Sequence, residues 1–138
     1  MNKVKKAQWV AALRSGKYQQ ARGILCSVRF SKRSYCCLGV LSDLAVADGV
    51  GQWLKLDPEY LSYSIDGTES NSVSGYYADT IQVWAGTRNE FSDDEAETAI
   101  SFSYIKDGER LRQAESLADL NDGGFTFDQI ADLIDYFL

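Results

Sequence analysis

The chain has 138 residues, 45% of them apolar and only one of them proline, a composition that can bury one hydrophobic core and excludes a disordered chain. It contains no histidine, which excludes the Ser/His/Asp and Cys/His arrangements of nucleophilic catalysis and removes the commonest ligand of transition metals. Its net charge of −6 is unevenly distributed, because nine of the 14 Lys and Arg residues precede Ser42 and all 20 acidic residues follow it. We therefore expect either a functional charged surface or two segments that neutralise each other.

The first half of the chain predicts two helices separated by an extended segment. Apolar residues at helical spacing indicate a helix over residues 3–15, which Gly16 ends. Residues 18–30 mix the periods of helix and strand, and we interpret them as extended, with a turn near residues 30–34. Residues 35–48 are apolar on most sides, which is typical of a central helix. A short strand is expected at residues 53–56.

The second half predicts a loop, short strands and a helix. Residues 62–80 are rich in Ser, Tyr, Gly and Asn, and we predict a long loop there with at most one hairpin. Residues 80–86 fit a strand or one helical turn, and residues 98–105 alternate in the way that a strand does. Residues 109–121 have the apolar spacing of a helix.

The last helix carries the strongest local signals. Gly123 and Gly124 suit the end of the preceding helix, because glycine adopts positive φ without strain. Thr126 and Gln129 have the spacing of a capping box. The apolar stripe that follows consists of Phe127, Ile130, Ala131, Ile134 and Leu138. We therefore predict an α+β fold: a single compact domain over residues 1–138, with helices at both ends, including a C-terminal helical hairpin, around a small antiparallel sheet.

Three sequence blocks carry a resemblance to a known family. They are WVAALRSGKY at residues 9–18, CCLGVLSDL at residues 36–44 and LADLNDGGFTFDQIADLI at residues 117–134. In these blocks the chain resembles a family of small, largely uncharacterised proteins of bacteriophages and prophages. The resemblance implies a phage or prophage origin and the cytoplasm of the bacterial host. It implies no reaction.

The C-terminal hairpin fits neither a calcium loop nor a DNA-binding motif. As an EF-hand it would place Ala118, Leu120 and Gln129 at positions that require oxygen ligands or a bidentate glutamate. As a helix-turn-helix it would offer phosphates a recognition helix that contains three aspartates and no Lys or Arg. We therefore expect no metal and no cofactor, and direct binding of nucleic acid is disfavoured.

The cysteines predict reduced thiols. Cys26, Cys36 and Cys37 are odd in number and have no C-x-x-C spacing. Cys37 is the candidate for a lowered thiol pKa, because it would lie in the first turn of a helix near Lys32 and Arg33. Without a histidine to act as its base, a buried structural role is the favoured interpretation.

The predicted partner-binding surface combines acidic and aromatic residues. Its acidic residues are Asp93, Asp94, Glu95, Glu97, Asp128, Asp132 and Asp135, and its aromatic residues, on the predicted loop, are Tyr63, Tyr76 and Tyr77. An acidic face can occupy the nucleic-acid-binding groove of another protein, and tyrosines anchor protein interfaces. The expected function is therefore non-enzymatic, namely the binding and inhibition of a bacterial host or anti-phage defence protein, without a membrane.

The alternative is a nucleotide signal bound on a basic N-terminal face. Its candidate residues are Lys17, Tyr18, Arg22, Arg29, Lys32 and Arg33. Cations interleaved with aromatic rings suit phosphates and bases, although no P-loop and no dinucleotide-binding glycine motif accompanies them. The same cations would otherwise form an ordinary solvated face that pairs with the acidic remainder of the chain.

Overall fold

The computed structural model describes residues 1–74, 79–87 and 116–138, together with the backbone of two short strands at residues 105–106 and 109–110. Its helices are α1 (Lys3–Arg14), α2 (Cys37–Ala47), α3 (Asp79–Ala85), α4 (Leu117–Asp122) and α5 (Phe127–Phe137). Its strands are β1 (Cys26–Arg29), β2 (Lys32–Tyr35), β3 (Gln52–Leu54), β4 (Tyr60–Ser64), β5 (Ser72–Val73), β6 (Ile105–Lys106) and β7 (Glu109–Arg110). The predicted α+β fold, with helices at both ends and an antiparallel sheet, is confirmed.

The helix α1 forms where the sequence predicts it. The side chain of Asn2 caps its first turn by accepting hydrogen bonds from the backbone N–H groups of Val4 and Lys5, at 2.9 and 3.2 Å. The side chains of α1 that are buried in the core are Trp9, Val10 and Leu13. Gly16 follows the helix with a φ of 69°.

The apolar helix α2 is the central one, as predicted. Cys36 caps it, because its Sγ accepts a hydrogen bond from the Gly39 N–H at 3.3 Å. A Cβ atom on Gly39 would lie 1.8 Å from the carbonyl oxygen of Leu25, so only glycine lets the first turn of α2 approach this backbone. The side chains of Val40 and Leu41 are then fully buried.

The five strands β1–β5 form one antiparallel sheet. Its strand order is β2-β1-β4-β3. β4 pairs with β1 and with β3, and it also pairs with β5. β1 and β2 are joined by a two-residue turn at Phe30 and Ser31, in agreement with the turn expected there. β6 and β7 pair only with each other among the described strands.

The predicted loop over residues 62–80 is wrong at both of its ends. β4 extends to Ser64, and α3 begins at Asp79. Ser62 and Ser64 are buried strand residues, and the Ser64 hydroxyl donates to the Thr68 carbonyl at 2.9 Å. These polar residues tolerate burial because a short hydroxyl finds a nearby acceptor. Between the two elements lie a short 3-10 turn and β5, and residues 75–78 lie outside the described part.

The predicted helix over residues 109–121 is wrong at its start and confirmed at its end, and residues 111–115 lie outside the described part. Residues 109–110 form β7, and α4 begins at Leu117 after a capping box made by Ser116 and Asp119. The strand predicted over residues 98–105 lies almost entirely outside the described part. α5 begins at the predicted capping box, in which the Thr126 hydroxyl accepts from the Gln129 N–H at 3.3 Å.

One hydrophobic cluster joins the helices to the sheet. α1 packs against α5 and α2, while α4 packs against both α2 and α5. The buried stripe of α5 is the predicted one, with Phe127, Ile130, Ala131 and Ile134 in the core. Within the described residues, no helix combines the length and the apolar character needed to cross a bilayer.

Candidate functional site

The aspartates of α5 lie on the exposed side of this helix, and two of them contact α1. Asp132 Oδ1 lies 2.5 Å from Arg14 Nη2, and Asp135 Oδ2 lies 3.7 Å from Arg14 Nη1. The hydrogen bond to Asp132 is the main reason why the pKa of Arg14 is raised. Lys6 Nζ donates to the Asp135 carbonyl at 2.7 Å. The basic segment is therefore partly neutralised by acids, and among the described residues its ion pairs all involve cations of α1.

These pairs leave the acidic side chains open to solvent. The side chain of Asp132 is 72% exposed and that of Asp135 is 59% exposed, while Asp128 is exposed in the first turn of the helix. The other predicted acids, Asp93, Asp94, Glu95 and Glu97, lie outside the described residues.

The predicted aromatic contact residues require a correction. Tyr63 is only 1% exposed, because it belongs to β4 and packs in the core, so it cannot contact a partner. Its hydroxyl donates to the Val50 carbonyl at 3.1 Å, and burial raises its pKa. Tyr76 and Tyr77 lie outside the described residues.

An exposed aromatic pair at the end of α5 was missed by the sequence analysis. Tyr136 is 82% exposed, and its ring makes an edge contact with Phe137 at a centroid distance of 4.7 Å. Tyr136 follows Asp132 by four residues, so the two side chains are neighbours on the helix surface. The available signal was that Tyr136 falls outside the apolar stripe of α5. We call Asp128, Asp132, Asp135 and Tyr136 the α5 face.

The six basic-face candidates do not form one pocket. Lys17 and Arg22 are exposed, but the Tyr18 hydroxyl donates to Asp43 Oδ2 at 2.9 Å. Burial, reinforced by this hydrogen bond, raises the pKa of Tyr18. A bridge between Gln20 and Tyr35 places this segment beside the far end of β2, about 10 Å along the strand from the β1–β2 turn.

The remaining three candidates belong to the β1–β2 hairpin. Arg29 and Lys32 are exposed partners directly across the hairpin, next to the turn. Arg33 is also exposed, and a hydrogen bond with Tyr35 is the main cause of its raised pKa. None of the three forms an ion pair with an acid in the part of the chain that the structure describes.

Comparison with known proteins identifies the family. The model of a family described as Domain of unknown function (DUF8296) matches residues 1–138. The chain belongs to this family. No curated protein and no solved structure matches it. The family assignment carries no activity, so the function has to be argued from the residues of this DUF8296 domain.

Asp43, on α2 of this DUF8296 domain, is a half-buried carboxylate for which the sequence predicts no role. Besides Tyr18, it accepts a hydrogen bond from Trp53 Nε1 at 2.8 Å. The rings of Tyr18, Tyr35 and Trp53 follow one another at centroid distances of 5.2 and 6.1 Å. Both carboxylate oxygens of Asp43 therefore have partners, and the cluster joins α2 to the sheet.

The thiols of Cys26, Cys36 and Cys37 are reduced and buried in the core. Burial raises the pKa of Cys26 to about 11, and it raises the pKa of Cys36 and, well above the ordinary value, that of Cys37. Cys37 does lie in the first turn of α2, but burial is the dominant effect, so its pKa is raised and not lowered. These thiols are protonated at neutral pH, so none of them is a ready nucleophile.

The carboxylates of the C-terminal hairpin also have protein partners. Asp119 Oδ2 accepts from the Ser116 N–H and hydroxyl, and Asp122 Oδ1 accepts from the Gly23 N–H at 2.9 Å. In the described residues, no three Asp, Glu or Cys side chains are placed to hold a metal ion. The side chains of the described residues that remain available for binding therefore lie on exposed surfaces.

Proposed function

We propose that this protein is a non-enzymatic accessory protein of a phage or prophage that binds and inhibits a bacterial host or anti-phage defence protein. It would act in the cytoplasm of the bacterial host, as the family resemblance of its sequence blocks implies. The observation that carries the proposal is the α5 face, where three aspartates lie beside a tyrosine that is 82% exposed.

The α5 face has the properties of a contact surface. Tyrosine buries a large area at a low cost in side-chain entropy, and it is enriched among residues that dominate binding energy. Arg14 holds Asp132 through a short hydrogen bond, so this carboxylate is positioned before a partner arrives. Its exposed oxygens can still accept hydrogen bonds from a second protein.

The charge of the α5 face favours a basic partner surface. A groove that binds DNA or RNA on a host protein presents Lys and Arg side chains at the spacing of phosphates, and a row of aspartates can occupy it. Opposite charges accelerate such an encounter and make it sensitive to salt. The exposed Tyr136 would supply the apolar contact at the end of this row.

Affinity capture from bacterial lysate tests the proposal. The wild-type chain should enrich a host protein at physiological salt, and Tyr136→Ala should lose most of this enrichment. Phe30→Ala, which removes an exposed ring elsewhere on the surface, is the matched control and should retain it. Failure of the wild-type chain to enrich any protein would contradict the proposal.

A nucleotide signal bound on the basic face is the second candidate function. It is favoured by the exposure of Lys17 and Arg22, and opposed by the separation of these residues from the hairpin cations. A thermal shift with cyclic or adenine nucleotides that is lost in Arg22→Ala or Arg33→Ala would support it. No shift with the wild-type chain would remove it.

A further inference from the structure

The tip of the β1–β2 hairpin carries an aromatic ring in an unfavourable backbone conformation. Phe30 and Ser31 connect the two strands with φ values of 48° and 62°. Two positive φ values are the pattern of a type I′ turn, for which Asn-Gly is the preferred sequence because side chains with a bulky Cβ are strained there. The Phe30 side chain is 100% exposed, so packing against the rest of the protein does not compensate for this strain.

The residues next to the turn add electrostatic repulsion. Arg29 and Lys32 are directly opposite each other in the register of the hairpin. Like charges at such a cross-strand position destabilise a sheet. Arg33 adds a third exposed cation on the next residue, and its pairing with Val28 places it on the other face of the hairpin.

Strain, an exposed ring and cations that form no ion pair with a described acid therefore coincide within five consecutive residues of the chain. Local rules of this kind are broken mainly where a site serves a function, and no contact among the described residues offsets the strain at Phe30. A ligand that supplied negative charge to the cations and a flat apolar surface to the ring would reduce the charge repulsion and cover the exposed ring. Nucleic acid is the ligand that combines phosphates with stacking bases.

We propose that the β1–β2 hairpin binds single-stranded nucleic acid, with Phe30 stacked on a base and with Arg29 and Lys32 contacting the phosphates around it. This site is separate from the α5 face and does not depend on the function proposed for that face. It also differs from a helix-turn-helix, because the nucleic acid contacts the turn of a β-hairpin and not the acidic helical hairpin at the C-terminus.

Single strands fit the hairpin better than the competing polyanions do. In a duplex the bases are stacked on each other, whereas an unpaired base can accept Phe30 on its open face. An anionic membrane would need more buried apolar surface than one ring provides at this tip. Tyr60 pairs with Ser27 on the face that also holds Arg29, so a second ring lies along the path of a strand that crosses this face.

Fluorescence anisotropy with labelled oligothymidine and oligouridine of about 12 nucleotides tests the proposal, since one small binding fold covers roughly 4–16 nucleotides. The wild-type chain should bind, and Phe30→Ala should weaken binding by about tenfold, which is the typical loss of one stacked base. Arg29→Gln should weaken binding and reduce the slope of log affinity against log salt by about 0.7, the value for one phosphate contact of a single strand.

The double variant Phe30→Asn/Ser31→Gly separates function from folding. Its Asn-Gly sequence suits the positive φ values, so we expect a higher melting temperature together with the loss of oligonucleotide binding. Lys3→Gln removes an exposed cation outside the hairpin and should bind like the wild type, as should Tyr136→Ala. The proposal is overturned if the wild-type chain binds no oligonucleotide, if it binds only vesicles that contain phosphatidylserine, or if the double variant binds with unchanged affinity.

Discussion

Asn121 is a fully buried amide that connects three parts of the chain. Its Oδ1 accepts from Gln20 Nε2 at 2.9 Å and from the Cys37 N–H at 3.2 Å, and its Nδ2 donates to the Ala21 carbonyl at 2.8 Å. The second of these bonds satisfies a free N–H in the first turn of α2. One side chain from α4 thereby fixes the segment that precedes the sheet and the start of the central helix.

Replacement of Asn121 by Ala should strongly destabilise the protein. The Cys37 N–H would stay buried without a partner, at a cost of about 1–3 kcal/mol, and the half-buried Ala21 carbonyl would lose its bond, so we expect a loss of about 3 kcal/mol in the free energy of unfolding. Urea unfolding measures this loss. Gln129→Ala removes an exposed amide of a helix cap and should cost less than about 1 kcal/mol. Equal losses in the two variants would contradict the role assigned to Asn121.

The lowered pKa of Asp66 makes the free energy of unfolding depend on pH in the acidic range. Hydrogen bonds from Thr68 and Asn71 lower its pKa to about 2 in the folded protein. Because the folded pKa lies below the unfolded pKa of about 3.9, ionised Asp66 stabilises the fold above pH 4, and this stabilisation is lost as the pH falls toward 2. The Asp66→Asn variant should therefore lose less stability than the wild type between these pH values in urea unfolding. Parallel pH profiles would contradict the prediction.

At the scale of elements, α1 and α5 are held by a buried apolar contact and by ion pairs at its edge. Arg14 and Lys6 on α1 reach Asp132 and Asp135 on α5. These side chains are partly exposed, so their attraction is screened by salt and adds little to the apolar contact. The pairs matter more for positioning the carboxylates of the α5 face than for stability.

Arg14→Gln tests this division of roles. Thermal unfolding should begin at a lower temperature than in the wild type in dilute buffer, and the difference should disappear in high salt, because only the screened interaction is removed. Lys17→Gln is the control, since Lys17 is exposed and forms no ion pair within the described residues. A difference that persists in high salt would mean that Arg14 contributes by packing instead.

The predictions from sequence succeeded where the signal is local. The capping box of Thr126 and Gln129 and the apolar stripe of α5 are set by residues within four positions of each other, and both are confirmed. Ser62 and Ser64 were assigned to a loop because their composition is polar. They are buried in β4 because this strand pairs with β1, β3 and β5, and such distant partners leave no mark on the local pattern.

The candidate sites were predicted less well than the fold, for the same reason. Whether an aromatic residue is exposed depends on the packing of the whole chain, so Tyr63, which is predicted at the surface, is buried, and the exposed Tyr136 has no predicted role. Asp43 lies within a run of apolar helix residues and gave no signal, because its partners Tyr18 and Trp53 come from other segments. The sequence predicts the basic residues and a turn near residues 30–34, but neither the second strand of the hairpin nor the register that places Arg29 opposite Lys32.

At the scale of the whole molecule, the uneven charge of the sequence has two outcomes. The cations of α1 pair with acids from other elements, as Lys5 does with Asp48 and Arg14 does with Asp132. The hairpin cations pair with no acid of the described part and remain at the surface. The charge asymmetry is therefore partly internal and partly available for binding, while the half-buried Asp43 and the buried thiols have structural roles.

Isothermal titration calorimetry with the purified partner protein, once it is captured from lysate, tests the central claim that this molecule acts by binding through the α5 face. We predict that Tyr136→Ala weakens the affinity by at least about tenfold, which corresponds to about 1.4 kcal/mol and is typical of an anchoring residue. The Phe30→Asn/Ser31→Gly variant should bind this partner like the wild type. Unchanged affinity of the Tyr136→Ala variant for the captured partner would contradict the account.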